Sequence, residues 1–114
     1  MKLAKLVEDY DLEVCSAAGA LDREVAGVYV SDLLSDVIAN AGAGDIWITL
    51  QLHVNVAAVA IMKELSGVIV INGRHPESQT LSRAEAEHLP IMVSSLSAFD
   101  LAGKLYQAGL RGRA

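Results

Sequence analysis

Aliphatic runs and helical segments alternate through most of this chain, and the alternation constrains the fold more than any other feature. Strand-forming runs lie at 25–30, 46–50, 67–71 and 90–93. Segments with helical periodicity follow them at 32–40, 55–65, 78–88 and 97–108. Parallel strands need a crossover between them, and strands buried on both faces are apolar throughout. The order therefore predicts an α/β domain with a mostly parallel sheet flanked by helices.

The N-terminal segment adds one helix and one strand to this pattern. Residues 2–10 have an amphipathic helical period, and 12–15 alternate as a short strand. We therefore expect a single three-layer domain with about five strands, spanning residues 1–110. Residues 111–114 contain the one basic cluster, and we expect them to form a flexible tail.

The composition excludes several classes of protein. Of the 114 residues, 53% are hydrophobic, only 4% are aromatic and 20% are charged, which is unlike a disordered chain or a coiled coil. Lys and Arg total 9 against 14 Asp and Glu, giving a net charge of −5. Because no basic stripe is present, we expect no binding to nucleic acid.

Three features of the sequence predict a soluble cytoplasmic protein that makes no membrane contact. The N-terminus lacks the apolar core of a signal peptide. The most apolar stretch, 54–62, is too short to span a bilayer and contains Asn55. The single cysteine, Cys15, cannot form an internal disulfide, which is typical of a reducing compartment.

Polar residues follow the predicted parallel strands at their carboxyl ends. In open α/β sheets, ligands bind in the crevice outside these ends, and the helix N-termini that begin there favour anions. Arg74 would add a fixed positive charge to such a crevice. We therefore predict a ligand-binding site that contains Asp32, Thr49, Gln51, His53, Asn72, Gly73, Arg74 and Ser95.

The same residues also have an ordinary structural interpretation. Ser and Asp before a helix are common N-caps, and Asn72-Gly73 is typical of a turn. No P-loop or glycine-rich dinucleotide motif is present. His53 and His75 with Asp32 could hold zinc, but their spacing matches no ligand motif. We therefore predict no metal site and no cofactor.

The sequence contains no catalytic constellation. Cys15 has no activating partner in the pattern, and a lone buried cysteine is usually inert. The serines at 94, 95 and 97 lie outside any nucleophile-elbow motif. We therefore predict no catalytic residues and no enzyme activity.

Several strings resemble those of DRTGG-domain proteins, in the same order along nearly the whole chain. They occupy 19–27, 29–37, 44–49, 67–73 and 89–99. The Asp-Arg-Thr-Gly-Gly string itself is absent from the sequence. Its nearest partial matches are Asp22-Arg23 with Gly27, and Asn72-Gly73.

The resemblance implies an α/β fold similar to the N-terminal domain of HPr kinase/phosphorylase. Related domains accompany phosphotransacetylases and the regulatory regions of some CBS-domain pyrophosphatases, where they are accessory or dimer-forming parts. A kinase also needs a phosphate-cradling loop and magnesium ligands, and this chain has no Gly-x-x-x-x-Gly-Lys-[Ser/Thr] string. The resemblance therefore implies a non-catalytic role.

Three functional hypotheses follow. The preferred one is a non-catalytic regulatory or dimerisation module, a homodimer that senses a small anionic ligand or docks on a partner enzyme. The alternative is an adenine-nucleotide-binding sensor, and the least favoured is a small phosphotransfer enzyme. A dimer is expected because a chain of 114 residues has little interior for so much aliphatic surface. Its predicted surface comprises Tyr29, Val30, Leu33, Leu34 and Val37.

Overall fold

The aliphatic runs form the centre of one five-stranded sheet. The computed structural model describes residues 1–112, and its strands are β1 (Glu13–Ser16), β2 (Gly27–Val30), β3 (Asp45–Thr49), β4 (Gly67–Val70) and β5 (Ile91–Val93). Their order across the sheet is β1-β5-β4-β3-β2. Strands β2 to β5 are parallel, and β1 pairs antiparallel with β5. The prediction of a mostly parallel sheet of about five strands is confirmed.

Helices cover both faces of this sheet. They are α1 (Leu3–Asp9), α2 (Leu34–Asn40), α3 (Val54–Met62), α4 (Ser78–Ala86) and α5 (Ala98–Gln107). Buried residues of α2, α3 and α4 share one core cluster, and those of α1 and α5 share the other. The domain therefore has the three predicted layers. Among residues 1–112, no helix is long and apolar enough to cross a membrane.

The central strands are apolar on both faces because both faces pack against helices. Successive side chains of a strand point to opposite sides of the sheet. In β3, Trp47 joins the core beneath α2, α3 and α4, while Ile46 and Ile48 join the core beneath α1 and α5. The buried indole satisfies its one polar atom, since Trp47 Nε1 donates to Ser31 O at 2.7 Å.

Helix α3 is covered on most sides within one chain. It packs between α2 and α4, and four of its residues are buried against the sheet: Val56, Ala57, Val59 and Ala60. Its small aliphatic side chains allow this close approach to neighbouring elements. At its C-terminal end, Met62 remains 58% exposed.

The start of the predicted tail is attached to the edge strand β2. Val28 N donates to Arg111 O at 3.0 Å. The Arg111 guanidinium lies 3.8 Å from the centre of the Tyr106 ring and donates to Tyr106 O at 2.7 Å. The remaining part of that predicted tail, 113–114, lies outside the described residues.

Candidate functional site

A crevice opens at the carboxyl ends of β2, β3 and β4. The loops that follow these three strands enclose a cavity of about 370 Å³, which is within the usual size range of small-molecule sites. This strand-end crevice is lined by Asp32, Leu50, Gln51, Leu52, His53, Arg74 and Glu77. Four of the eight predicted ligand-binding residues therefore come together: Asp32, Gln51, His53 and Arg74.

Asp32 joins two of the loops that form the crevice. Its Oδ1 atom accepts hydrogen bonds from Thr49 Oγ1 at 2.9 Å and from Leu50 N at 2.7 Å. Helix α2 begins after Leu33 without a side-chain cap, so Asp32 does not have the capping role considered above. Thr49 is 1% exposed and lies beneath the crevice, where its hydroxyl positions Asp32.

Gln51 and His53 belong to the loop between β3 and α3. Gln51 Nε2 donates to Asp32 O at 2.9 Å, which adds a further link between the two loops. His53 is the N-cap of α3, and its Nδ1 atom accepts from Asn55 N at 3.1 Å. Because Nδ1 accepts, a neutral His53 ring carries its proton on Nε2 and offers that atom as a donor.

Arg74 reaches the crevice from the loop after β4. A turn at Asn72 and Gly73, with φ angles of 60° and 66°, directs the chain into this loop. Asn72 N donates to Leu96 O at 2.9 Å, and Gly73 N donates to Ser94 O at 2.8 Å. These two predicted site residues therefore hold the Arg74 loop against the end of β5 and do not line the crevice.

Ser95 lies in a different groove from the other predicted residues. That groove, of about 260 Å³, is lined by Asp9, Tyr10, Asp11, Ser95, Leu96 and Lys104. A third groove, of about 400 Å³, is bordered by Leu96 and residues of α5 only, and it contains none of the predicted site residues. Three loops contribute side chains to the strand-end crevice, and they follow neighbouring parallel strands.

The two histidines considered for a metal site have separate partners. His53 caps α3, and the His75 Nε2 atom lies 2.9 Å from Glu13 Oε1 on β1. His75 does not line the strand-end crevice. The grouping of His53, His75 and Asp32 weighed from the sequence is therefore not formed.

Three residues that line the crevice were not predicted from the sequence: Leu50, Leu52 and Glu77. The two leucines alternate with the predicted residues Thr49, Gln51 and His53, from the end of β3 into the loop that follows. This neighbourhood is the signal that could have identified them as part of the crevice wall. Glu77 precedes α4, and its N–H donates to Leu52 O at 3.2 Å. The rule that ligands bind at strand ends applies to its loop as well.

The crevice combines charges of both signs with an apolar wall. Two carboxylates, Asp32 and Glu77, lie near one guanidinium, and two leucines supply nonpolar surface. Within residues 1–112, the Arg74 guanidinium forms no hydrogen bond or ion pair of its own. The lining has no hydroxyl or thiol nucleophile. This arrangement suits recognition of a ligand that has an anionic group, hydroxyl groups and a flat apolar part.

Comparison with known proteins finds a likeness among solved structures only. No protein-family model matches the chain, and no curated protein matches it. Among solved structures, the chain resembles the CBS and DRTGG domains of the regulatory region of Clostridium perfringens pyrophosphatase, complexed with the activator diadenosine tetraphosphate. The TM-score is 0.72 at 16% identity, over 94% of this chain and 46% of that chain. The chain thus spans less than half of that structure, and the likeness confirms the predicted fold.

Proposed function

We propose that this chain, which has the fold of a DRTGG domain, is a cytoplasmic, non-catalytic regulatory domain that senses a small anionic ligand in the strand-end crevice. We further propose that the ligand is an adenine nucleotide. The observation that carries the proposal is the Arg74 guanidinium, which lines the crevice and has no hydrogen-bond or ion-pair partner among residues 1–112. Guanidinium groups bind phosphate oxygens through parallel hydrogen bonds, and such charge-assisted bonds are the strong ones.

The rest of the crevice offers complementary contacts for a nucleoside. Among residues 1–112, both hydrogen bonds to the Asp32 carboxylate end on Oδ1, so Oδ2 is available to accept from ribose hydroxyls. A carboxylate in this role is familiar from nucleotide sites in α/β folds. Leu50 and Leu52 supply apolar surface for a base. His53 lies at the N-terminus of α3, where the helix dipole favours negative charge.

The structural neighbour supports the nucleotide class. That protein's regulatory region was solved with diadenosine tetraphosphate, which is an activator of the pyrophosphatase. The two chains share the fold at 16% identity, so the residues proposed here rest on the geometry of this crevice. Sensing without turnover fits a lining that has no hydroxyl or thiol nucleophile.

Thermal unfolding with ATP, AMP and diadenosine tetraphosphate at millimolar concentration tests this proposal. A ligand that binds only the folded state raises its apparent stability, so we expect at least one nucleotide to raise the Tm. Arg74→Gln should weaken binding by about tenfold or more, because a hydrogen bond to a charged group contributes roughly 1.5–3 kcal/mol. Arg83→Gln, at an exposed position of α4, is the charge-matched control and should bind like the unaltered chain.

Three outcomes would contradict the proposal. The ligand assignment is wrong if no nucleotide shifts the Tm, or if Arg74→Gln binds as well as Arg83→Gln. The non-catalytic assignment is wrong if incubation with labelled ATP releases phosphate or transfers it to an acceptor in proportion to protein concentration.

We also propose that two copies associate through Val30 and Leu33. These side chains are 47% and 64% exposed at the end of the edge strand β2, and apolar exposure of this kind favours an interface. The surface is smaller than the one predicted from the sequence. Val37 is fully buried, and Tyr29 and Leu34 pack partly against the core.

A further inference from the structure

Three side chains with metal-binding atoms converge at the edge strand β1, and none of them lines the crevice. Glu13 and Cys15 come from β1, and His75 comes from the loop between β4 and α4. His75 Nε2 lies 2.9 Å from Glu13 Oε1, and Cys15 Sγ lies 3.8 Å from Glu13 Oε2. One ligand atom from each residue can be chosen so that all three lie within 4.8 Å of one another.

We propose that Glu13, Cys15 and His75 form a zinc-binding site. Zinc binds thiolate sulfur at about 2.3 Å and imidazole nitrogen or carboxylate oxygen at about 2.0–2.2 Å, in tetrahedral geometry. Neighbouring ligand atoms around such an ion are therefore roughly 3.5 Å apart. The separations of 2.9 and 3.8 Å from Glu13 bracket this value, and all three ligand atoms lie within 4.8 Å of one another, so the side chains are close enough to share one ion.

The backbone holds two of these ligands in defined positions. The register of β1 against β5 shifts between Val14 and Ser16, so Cys15 is the additional residue of a β-bulge. Bulges redirect side chains and are common beside functional sites. His75 precedes the buried Pro76, and the residue before a proline is restricted to extended backbone conformations. Cys15 also packs against the core beneath α4.

The ligand set favours zinc over the common hard cations. A thiolate with an imidazole selects zinc, whereas magnesium and calcium prefer oxygen ligands alone. On binding, the Cys15 thiol releases its proton to solvent, and His75 coordinates through a neutral ring nitrogen. The Glu13 and His75 side chains are 61% and 55% exposed, so a fourth position faces solvent and would take water or an anion.

Titration of the reduced, metal-free chain with cobalt, without any nucleotide present, tests the site directly. We expect a thiolate-to-cobalt charge-transfer absorption that saturates at one ion per chain, and its loss when zinc is added. Absence of that absorption, or saturation at one ion per two chains, would overturn a site formed within one chain. Because no nucleotide is used, the result is independent of the proposed sensing function.

Matched variants identify the ligands. Cys15→Ser and His75→Asn should each weaken zinc binding by at least about tenfold, since loss of even an outer-shell partner often costs that much. His88→Asn is the control, because His88 is exposed and belongs to no ligand group among the described residues. His75 is exposed, so His75→Asn tests the site even if Cys15→Ser does not fold. Equal zinc affinity in His75→Asn and His88→Asn overturns the proposal.

Discussion

Ser16 shows how much a single hydroxyl contributes at an irregular strand. At the β-bulge in β1, its Oγ donates to Leu89 O at 2.8 Å and accepts from Ile91 N at 2.9 Å. Ser16, Leu89 and Ile91 are all buried, so water cannot replace the Ser16 hydroxyl as the hydrogen-bond partner of either backbone group. The hydroxyl therefore supplies the polar contacts that the regular ladder loses at the bulge.

Substitution of Ser16 tests this contribution. Ser16→Ala leaves Leu89 O and Ile91 N without partners, and each unsatisfied buried group costs about 1–3 kcal/mol, so we expect roughly 2 kcal/mol or more of lost stability. Urea unfolding measures the loss. Ser82→Ala, at an exposed position of α4, is the control and should change stability by less than about 0.5 kcal/mol. A similar small change for Ser16→Ala would refute this role.

At the scale of elements, the edge strand β2 depends on a close contact with the chain around Arg111. A Cβ atom on Gly27 would lie 2.8 Å from Arg111 O and 3.0 Å from Asp45 Oδ1. The first of these atoms belongs to the backbone and cannot move without displacing the segment bonded to Val28. Only glycine leaves room for β2 and this segment to pack together.

Two glycine substitutions should have opposite effects. Gly27→Ala should destabilise the domain by about 1–3 kcal/mol, the usual cost of overpacking. Gly103→Ala, inside α5 with nothing within 4 Å of the new Cβ, should stabilise it by roughly 0.5–1 kcal/mol, because alanine favours helix. Calorimetry on both variants measures the difference. The steric argument fails if Gly27→Ala is as stable as the unaltered chain.

At the scale of the whole molecule, the aliphatic content has a different explanation from the one expected. Two apolar cores lie on opposite faces of the sheet, and together they take up most of the large aliphatic side chains. Helix α3, which is rich in alanine and valine, is flanked by α2 and α4 of the same chain. Composition alone therefore does not require a dimer, and the proposed interface rests on Val30 and Leu33.

Light scattering at micromolar concentration tests the proposed association. We expect the unaltered chain to be a dimer and the double variant Val30→Lys, Leu33→Lys to be a monomer, because buried like charges oppose association. Phe99→Lys is the control, since Phe99 is 87% exposed on α5, on a different element. A monomeric unaltered chain, or a double variant that remains dimeric, would contradict this interface.

Much of the architecture was predictable from local patterns. The strand prediction at 46–50 is close to the observed β3 (Asp45–Thr49), and the helix prediction at 97–108 is close to α5 (Ala98–Gln107). These predictions succeed because an element that is buried on one or two faces needs apolar residues at regular spacings along the sequence. The strand-end rule then placed Asp32, His53 and Arg74 in one crevice without knowledge of loop paths.

The three layers, the mostly parallel sheet and the end of the sheet where polar groups gather all follow from the hydrophobic pattern of the sequence. Which of those groups share a cavity depends on the tertiary structure, because Ser95 lies in another groove and Thr49 is buried beneath Asp32. It also brought Cys15 and Glu13 to His75, across 60 or more positions of the chain. The hydrophobic periodicity of a segment indicates which of its faces is buried. Contacts between loops depend instead on strand order, bulges and turns, which that periodicity does not specify.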